Sequence, residues 1–308
     1  MTVSEHAAAD PYTSYLGELL DARLLIPTGV RGVYGLSGVF ESVIEHFDAY
    51  VTRMGADQNA EVIRFPPLLT RQNYQRTDHL ETFPNLMGSV HTFAGSERES
   101  LQLATKKQAG ENWAADLSPT DVMMTPAACY PLYGTATGTL PSEGRIVDLR
   151  SFVFRHEPSD DPARLQIFRM HEFVRIGTPD QALAHRNEWL ARGEEMLRKL
   201  DLDVQAVIAN DPFFGRGGRV MAATQREQEL KFELVAPVAN AEKPTAIASC
   251  NYHLDHFGVA FDIRTADGEV AHSACVGFGL ERTALALFRK HGFAPAQWPS
   301  HVRNTLAL

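Results

Sequence analysis

Cysteine is scarce in this chain, which has only Cys129, Cys250 and Cys275 among its 308 residues. Three is an odd number and a small one for this length, which argues against a disulfide framework. The three thiols are therefore left to metal binding, catalysis or burial, and a reducing compartment is consistent with them.

Long apolar runs are also missing. The longest fall far short of the roughly 20 residues that cross a bilayer, and residues 1–20 have no basic start followed by an apolar stretch. We therefore expect a cytoplasmic protein with no membrane partner. Repeats, low-complexity tracts and Gly/Ser linkers are absent too, so we predict a flexible tail over 1–12 and a single domain over 13–308.

Positive charge is in deficit, because 29 Lys and Arg face 38 Asp and Glu and give a formal net charge of −9. Binding to nucleic acid is dominated by Lys and Arg contacts that neutralise phosphates. A nucleic-acid partner would therefore require a local basic patch.

The chain does have clear periodicity. Apolar residues recur at three- and four-residue spacing from Phe40 to Val51, which predicts a helix over about 39–55 with one buried face. The segment from Glu61 to Phe65 reads as a strand that ends at Pro66.

Later segments indicate strands in runs with helices beside them, which is typical of the α+β class. Residues 66–120 read mostly as loop. Strands are predicted at 121–125, 146–155, 166–176, 230–238, 245–252 and 257–264, and helices at 180–200 and 279–291.

Two motifs could bind phosphate. Phe154-Arg155-His156-Glu157 ends one predicted strand, and a polar loop leads into the next, so the segment reads as a hairpin. The planar guanidinium of Arg155 matches phosphate oxygens bidentately. Taken alone, an Arg-x-Glu on a strand also describes a surface ion pair.

The second motif is Gly277-Phe-Gly279-Leu-Glu-Arg282, which puts two glycines at a strand-to-helix turn and an arginine in the first helical turn. The backbone can approach a ligand closely there, and helix amides favour negative charge. A simple packing turn would give the same pattern.

Together these motifs, with the helix and strand that end before Pro66, resemble the three ordered motifs of class II aminoacyl-tRNA synthetases over most of residues 39–290. The runs Ile247 to His253 and His171 to Phe173 make the seryl enzymes the most similar. More narrowly, the chain resembles the truncated homologues called amino acid:[carrier protein] ligases, which are related to the zinc-dependent seryl enzymes of methanogens.

The resemblance implies an antiparallel sheet flanked by helices and a homodimer built on the helix and strand of the first motif. It also implies an ATP site that acts with Mg²⁺, with Arg155 on the α-phosphate and Arg282 on the γ-phosphate as the catalytic residues. Glu157 and the hairpin backbone would contact adenine, and Phe168 would stack on it. The implied ATP-binding set is Arg155, Glu157, Arg164, Leu165, Phe168, Lys231, Ala246, Ile247, Ala248, Ser249 and Arg282.

The chain departs from the ordinary seryl enzymes at two places. They carry a Glu where Ala246 stands, and that Glu helps to hold magnesium, so the number of magnesium ions is left open. Their amine-recognising Thr-x-Glu loop is replaced by Pro126-Ala-Ala-Cys129, which puts a thiol where a carboxylate would meet the substrate amine.

Cys129, Glu172 and Cys275 match the ligand positions of the zinc-dependent branch, which implies one Zn²⁺ per subunit. Only the resemblance joins them, because they lack the short spacing that makes a zinc site readable from sequence. Three ligands leave a fourth position for the α-amino group of a substrate, so Glu172 is also expected at the substrate. Cys250 is interpreted as a packing residue beside this site.

The implied reaction is ATP-dependent activation of a small amino acid to an aminoacyl-adenylate. Glycine is favoured, followed by alanine and serine. The acceptor would be the phosphopantetheine arm of an acyl carrier protein, and no tRNA is expected, because we identify no coiled-coil or basic domain that could grip one. A minimal seryl- or glycyl-tRNA synthetase and a non-catalytic regulatory paralogue stay open as alternatives.

An acidic carrier protein would require a basic patch on this enzyme. Two candidates are the run from Phe213 to Arg219 and the helix that carries Arg186, Arg192, Arg198 and Lys199. Both also fit ordinary surface features. His253 and His256 are expected to make structural or substrate-side hydrogen bonds.

Overall fold

A seven-stranded sheet runs through the computed structural model, which describes residues 10–211, 225 and 228–308. The strands of the described residues are β1 (Leu25–Val30), β2 (Val33–Leu36), β3 (Glu61–Ile63), β4 (Leu68–Thr70), β5 (Ser89–Thr92), β6 (Ser118–Met124), β7 (Gly138–Thr139), β8 (Arg145–Phe154), β9 (Ile167–Gly177), β10 (Gln205–Ile208), β11 (Lys231–Ala236), β12 (Thr245–Tyr252), β13 (Ile263–Arg264) and β14 (His272–Gly279). The order in the large sheet is β10-β11-β12-β14-β9-β8-β3. All neighbours are antiparallel except β3, which runs parallel to β8 at the edge.

Helices surround this sheet. Within the described residues they are α1 (Pro11–Asp21), α2 (Gly38–Met54), α3 (Arg71–Arg76), α4 (His79–Thr82), α5 (Glu97–Ala109), α6 (Tyr130–Tyr133), α7 (Pro179–Arg198), α8 (His256–Phe261), α9 (Leu280–His291) and α10 (Ser300–Leu306). No helix of the residues that the structure covers is both long and apolar enough to span a membrane. Residues 1–9 of the predicted tail lie outside the described residues, and α1 begins at Pro11.

The predicted α+β class is confirmed, and most predicted elements are present. Helices α2, α7 and α9 match the three predicted helices. Strands β3, β6, β8, β9, β11 and β12 stand where strands were predicted, with ends that shift by a few residues. The predicted N-terminal boundary of α2 is sharp because the side chain of Ser37 accepts a hydrogen bond from Phe40 N.

The prediction of a strand at 257–264 is wrong. Residues His256–Phe261 form helix α8, and only Ile263–Arg264 are extended. A helix puts Phe257 and Phe261 on one buried face, and periodicity alone does not separate a helix from a strand in so short an apolar run. The strand that pairs with β12 is instead β14, which is rich in small residues and glycine and so gives a weak strand signal.

The stretch read as mostly loop also contains helices. Helix α5 has a capping box in which Ser96 and Glu99 exchange hydrogen bonds between side chain and backbone. None of its residues is buried. Helical periodicity is weak in a helix that buries no face, which explains why the sequence did not reveal it.

Helices α2, α7 and α9 cover one face of the sheet. The ring of Phe278 in β14 lies 6.0 Å from Phe47 of α2 and 6.1 Å from Trp189 of α7, between centroids. Trp189 also stacks on Phe173 of β9 at 4.6 Å. Aromatic pairs at such distances add to the large apolar area that they bury, so this layer anchors the central strands β9 and β14.

A charged cluster centred on the buried residues His171, Asp48 and Asp148 lies in the same layer. His171 Nδ1 lies 2.8 Å from Asp48 Oδ1, and its Nε2 lies 3.2 Å from Asp148 Oδ1. Arg150 pairs with Asp48, and Arg64 lies 2.9 Å from Asp148. Buried charges require such partners, because removing one leaves an uncompensated charge. The cluster therefore ties α2 and the segment after β3 to the sheet.

Gly258 gives a test of how tightly α8 packs on the sheet. A Cβ at this position would lie 2.0 Å from the backbone oxygen of Ala271, which cannot move independently of the sheet. We expect Gly258→Ala to lower the free energy of unfolding by about 1–3 kcal/mol, measured by urea denaturation.

Gly17→Ala is the matched control, because it also replaces a helical glycine and its Cβ would meet no atom within 4 Å. Alanine favours a helix interior, so this variant should be as stable as the parent or more stable. Equal stability of both variants would contradict the close approach at Gly258.

Candidate active site

A cleft of about 560 Å³ opens on the sheet face opposite α2, α7 and α9. Its floor comes from strands in which alternate side chains point the same way. The register pairs Glu172 with Gly277 and Gly277 with Ser249. One face of β9, β14 and β12 therefore presents Glu172, Cys275 and Ser249 to the cleft, while Val276 and its neighbours face the helices.

Three side chains that could hold a metal ion meet in this cleft. The ligand atoms of Cys129, Glu172 and Cys275 all lie within 4.8 Å of one another, and all three residues are buried. Glu172 and Cys275 come from adjacent strands, and Cys129 comes from the turn just before α6. Ala128 N donates to Glu172 Oε1 at 2.9 Å, which fixes the turn over the sheet.

These three ionisable groups shift one another's pKa values. Burial and the neighbouring Cys275 raise the pKa of Glu172 to about 8. The hydrogen bond with Cys275, burial and the charge of Glu172 raise the pKa of the Cys129 thiol, while the same hydrogen bond lowers the pKa of Cys275. A cation between them would favour all three ionised forms.

One buried carboxylate oxygen of the cluster has no partner, which supports a bound zinc ion independently of the kinds of donor atom present. Glu172 Oε2 is buried and has no hydrogen-bond partner among the residues described, although buried polar atoms are nearly always paired. Two thiol sulfurs and one carboxylate oxygen make a donor set that suits zinc with one position open to a substrate.

A second layer of polar side chains supports Cys275. Asn251 Nδ2 lies 3.5 Å and His253 Nε2 3.6 Å from its sulfur. His253 Nδ1 lies 3.0 Å from Ser273 Oγ, which orients the ring. Partners of this kind orient metal ligands and tune them. The hydrogen bonds expected for His253 are thus present.

Cys250 does not belong to this site. It is fully buried in the core on the helix side and pairs across β12 and β14 with Val276. Its side chain therefore points away from Cys129 and Cys275, and its interpretation as a packing residue is confirmed.

Two arginines also line the cleft. The Arg155 guanidinium carbon lies 5.5 Å and that of Arg282 5.9 Å from the ring centroid of Phe168. Arg155 donates to the carbonyl of Pro126, and Arg282 donates to the carbonyls of Ala163 and Ala246. Neither arginine forms a salt bridge within the described part of the chain.

This arrangement concentrates positive charge in a cleft. Burial, together with repulsion from Arg155 and Arg164, lowers the pKa of Arg282 to about 10. Arg282 is held there by the preceding residue, since Glu281 accepts hydrogen bonds from Arg169 N and Nε at 2.7 and 2.8 Å. Fixed guanidinium groups without a carboxylate partner suit an anion such as a polyphosphate.

Most positions predicted to bind ATP line this cleft. They are Arg155, Phe168, Lys231, Ala246, Ile247, Ala248, Ser249 and Arg282. The cation of Lys231 is already paired with Asp211 and lies 3.3 Å from Glu233.

Three other predicted positions do not line it. Glu157 and Arg164 pair with each other, and the side chain of Leu165 is buried in the core on the cleft side of the sheet. The adenine contact expected of Arg164 and Leu165 involves their backbone atoms. It stays a prediction, as does the adenine contact of Glu157.

Several cleft residues were missed by sequence reasoning. Asp78, His79 and Tyr130 come from the stretch around α4 and α6, and Asp211 and Glu233 surround Lys231. None belongs to the motifs that we identified, and the segments that carry most of them read as loop. No local pattern along the chain indicates them.

The basic helix proposed as a docking patch is largely neutralised. Arg192 pairs with Asp57 and Glu188. The remaining members pair within α7 or bond the backbone: Arg198 with Glu194, Lys199 with Glu195, and Arg186 with the carbonyl of Glu229. Exposed pairs of this kind leave little net positive charge, and the run from Phe213 to Arg219 lies outside the described residues.

Comparison with solved structures identifies the fold. The chain superposes on a seryl-tRNA synthetase of M. kandleri, solved with A. aeolicus tRNASec, with a TM-score of 0.80 and 19% identity over 99% of this chain and 63% of the other. It superposes on the ATP complex of seryl-tRNA synthetase from Pyrococcus horikoshii with a TM-score of 0.70 and 13% identity, over 96% of this chain and 62% of the other. The predicted class II aminoacyl-tRNA synthetase-like fold is confirmed.

Comparison of sequences identifies the family. No family model matches the chain. It is 45% identical to amino acid--[acyl-carrier-protein] ligase 2 of Bradyrhizobium diazoefficiens over 97% of this chain and 89% of that protein. It is 42% identical to amino acid--[acyl-carrier-protein] ligase 1 of the same organism over 97% of this chain and 91% of that protein. The chain therefore belongs to the family of amino acid--[acyl-carrier-protein] ligases.

Proposed function

We propose that this protein is an ATP-dependent, AMP-forming ligase that activates a small amino acid and transfers it to the phosphopantetheine thiol of an acyl carrier protein. One observation carries the proposal: a single cleft is lined both by the Cys129, Glu172 and Cys275 cluster and by Arg155 and Arg282. The names of the two Bradyrhizobium relatives support the same reaction.

The amino acid would be held by its amine. Cys129, Glu172 and Cys275 would hold one Zn²⁺ per subunit, which when bound supplies a Lewis acid for the unprotonated α-amino group. Binding through the amine is common to all α-amino acids. Discrimination between their side chains therefore depends on the other residues that line the cleft. We propose a small side chain, with glycine first and then alanine or serine.

ATP would lie against Arg155 and Arg282, together with Mg²⁺. Arg155 would bind the α-phosphate and Arg282 the γ-phosphate, and Phe168 would lie against the base. A carboxylate oxygen of the amino acid then forms a bond to the α-phosphorus while the bond to pyrophosphate breaks. Little acid–base chemistry is required, because positioning and neutralisation of phosphate charge supply most of the catalysis.

The second step transfers the aminoacyl group from the adenylate to the thiol, and AMP leaves. We propose the carrier-protein thiol rather than a tRNA hydroxyl as the acceptor, because both close relatives are named for an acyl carrier protein. The superposition on tRNA synthetases supports the shared fold and does not argue for a tRNA acceptor.

We also propose a homodimer that uses the β3 edge of the large sheet. Strand β3 is the last strand on that side, and its Val62 is 64% exposed. An exposed edge strand with an apolar side chain is a site where a second chain can pair.

Removal of one thiol ligand tests the metal cluster. We expect Cys275→Ala to lose the bound zinc and amino-acid-dependent pyrophosphate exchange together, because Cys129 and Glu172 alone are too few ligands to hold the ion. Zinc content per subunit and exchange are measured with each of the twenty amino acids, with and without a chelator.

Cys250→Ala is the control, since it removes a buried thiol from the opposite face of the same sheet. It should keep the zinc. A Cys275→Ala protein with full zinc content and activity would contradict the assignment of the cluster, and a zinc-loaded parent without exchange would favour the non-catalytic paralogue.

Truncation of Arg282 tests the phosphate end. We expect Arg282→Ala to lower the rate of pyrophosphate exchange by about 10²–10³-fold, the usual cost of one lost charge-stabilising donor, while the zinc content is unchanged. Arg198→Ala removes an exposed arginine that pairs with Glu194 on α7 and serves as the control. A rate equal to that of the control would rule out a role for Arg282 in activation.

The identity of the acceptor is tested with the parent protein. We expect labelled amino acid to become attached to a phosphopantetheine-bearing carrier protein and not to tRNA, measured by acid precipitation after incubation with ATP. Apo-carrier protein without the arm is the control. Charging of tRNA in its place would establish the minimal tRNA synthetase.

A further inference from the structure

One wall of the cleft is not used by the activation chemistry. We call it the α4–α8 wall, and it consists of Asp78, His79 and Phe83 on one side and His256 and Phe257 on the other. All five lie outside the two phosphate motifs and outside the metal cluster. Two observations distinguish this wall.

The first observation is a buried histidine without partners. His79 is 4% exposed, and neither ring nitrogen has a hydrogen-bond partner in the part of the chain that the structure covers. Burial and the charge of Arg155 lower its pKa to about 4, so the ring is neutral and can donate from one nitrogen and accept at the other. A buried ring of this kind that lines a cleft is suited to a polar ligand group.

The second observation is an imidazole–carboxylate pair at the mouth of the cleft. His256 Nε2 lies 3.3 Å from Asp78 Oδ1, and both side chains are 40% exposed. The hydrogen bond with Asp78 raises the pKa of His256, burial opposes it, and the charges of Asp78 and Asp255 add to it. With Nε2 paired to Asp78, Nδ1 is the ring nitrogen left to accept a proton, and a carboxylate that orients an imidazole in this way is usual for a general base.

A chain of ring contacts links the pair to the metal cluster. Cys275 Sγ lies 3.6 Å from His253 Nε2. The His253 ring lies 5.1 Å from Phe257, and Phe257 lies 4.9 Å from His256, between centroids. One aromatic ring therefore separates the proposed base from the histidine that contacts the metal cluster.

We propose that the Asp78–His256 pair is the proton acceptor for the thiol in the transfer step. This inference rests on the proposed function, because it requires an aminoacyl-adenylate and a thiol acceptor. The thiol proton passes to His256 Nδ1, the sulfur forms a bond to the carbonyl carbon, and the carbonyl–oxygen bond to AMP breaks. The electron pair of that bond leaves on AMP, and His256 returns its proton to solvent.

The experiment separates activation from transfer. Adenylate is formed on the zinc-loaded enzyme from ATP and the amino acid, and it is then reacted in a single turnover either with excess pantetheine or with hydroxylamine, which needs no deprotonation to attack. Pyrophosphate exchange is measured on the same preparations. His256→Gln and Asp78→Asn are compared with the parent.

We expect His256→Gln to slow transfer to pantetheine by about 10²–10⁴-fold, the usual contribution of a general base, and Asp78→Asn to slow it by less. Exchange and hydroxylamine trapping should match the parent. Because a thiol has a pKa near about 8.5, raising the pH toward that value should recover much of the loss in His256→Gln. A merely structural role would not be recovered by pH.

His301→Gln is the control, since His301 Nε2 lies 2.8 Å from Asp201 in an exposed pair that does not line the cleft. Equal loss of exchange and transfer in His256→Gln, or unchanged transfer, would overturn the inference. A parent that exchanges pyrophosphate but does not react with pantetheine would also overturn it and would leave the activation proposal standing. A parent without exchange would overturn the proposed function itself.

Discussion

The two-faced burial of strands β9 and β14 is the constraint on which the rest of the structure depends. Alternate side chains of a strand point to opposite faces, and both faces are covered here. Phe173, Val276 and Phe278 pack under the helices, so Glu172 and Cys275 must face the cleft. A register shift of one residue would exchange the two sets and dismantle the site.

The cleft contains two sets of ionisable side chains that favour ligands of opposite charge. Cys129, Glu172 and Cys275 put acidic groups into a dry environment that favours a cation. Arg155 and Arg282 put positive charge beside Phe168 without carboxylate partners among the described residues, which favours an anion. The proposed metal-bound amine and polyphosphate would satisfy both sets of charges at once, as amino acid activation requires. The Asp78–His256 pair lines the same cleft.

Sequence reasoning succeeded where a local pattern carried the information. The apolar spacing from Phe40 to Val51 located α2, and the Gly277 to Arg282 turn located the start of α9. Prediction from sequence failed where the local pattern was ambiguous or absent. The run 257–264 was short enough to read as a strand although tertiary packing makes it a helix, and α5 buries no face and so leaves no periodicity.

By itself, the sequence determined the fold class, most long elements and the two phosphate motifs, because these depend on contacts between residues that are near in the chain. It also supplied the thiols and the carboxylate of the metal cluster, but only a family resemblance joined them. Tertiary structure decided that these three side chains meet, that Cys250 points away, and that Asp78, His79 and His256 form a wall of the cleft. Such contacts join residues far apart in the chain, and sheet register and loop packing, which bring them together, are not encoded in any local spacing.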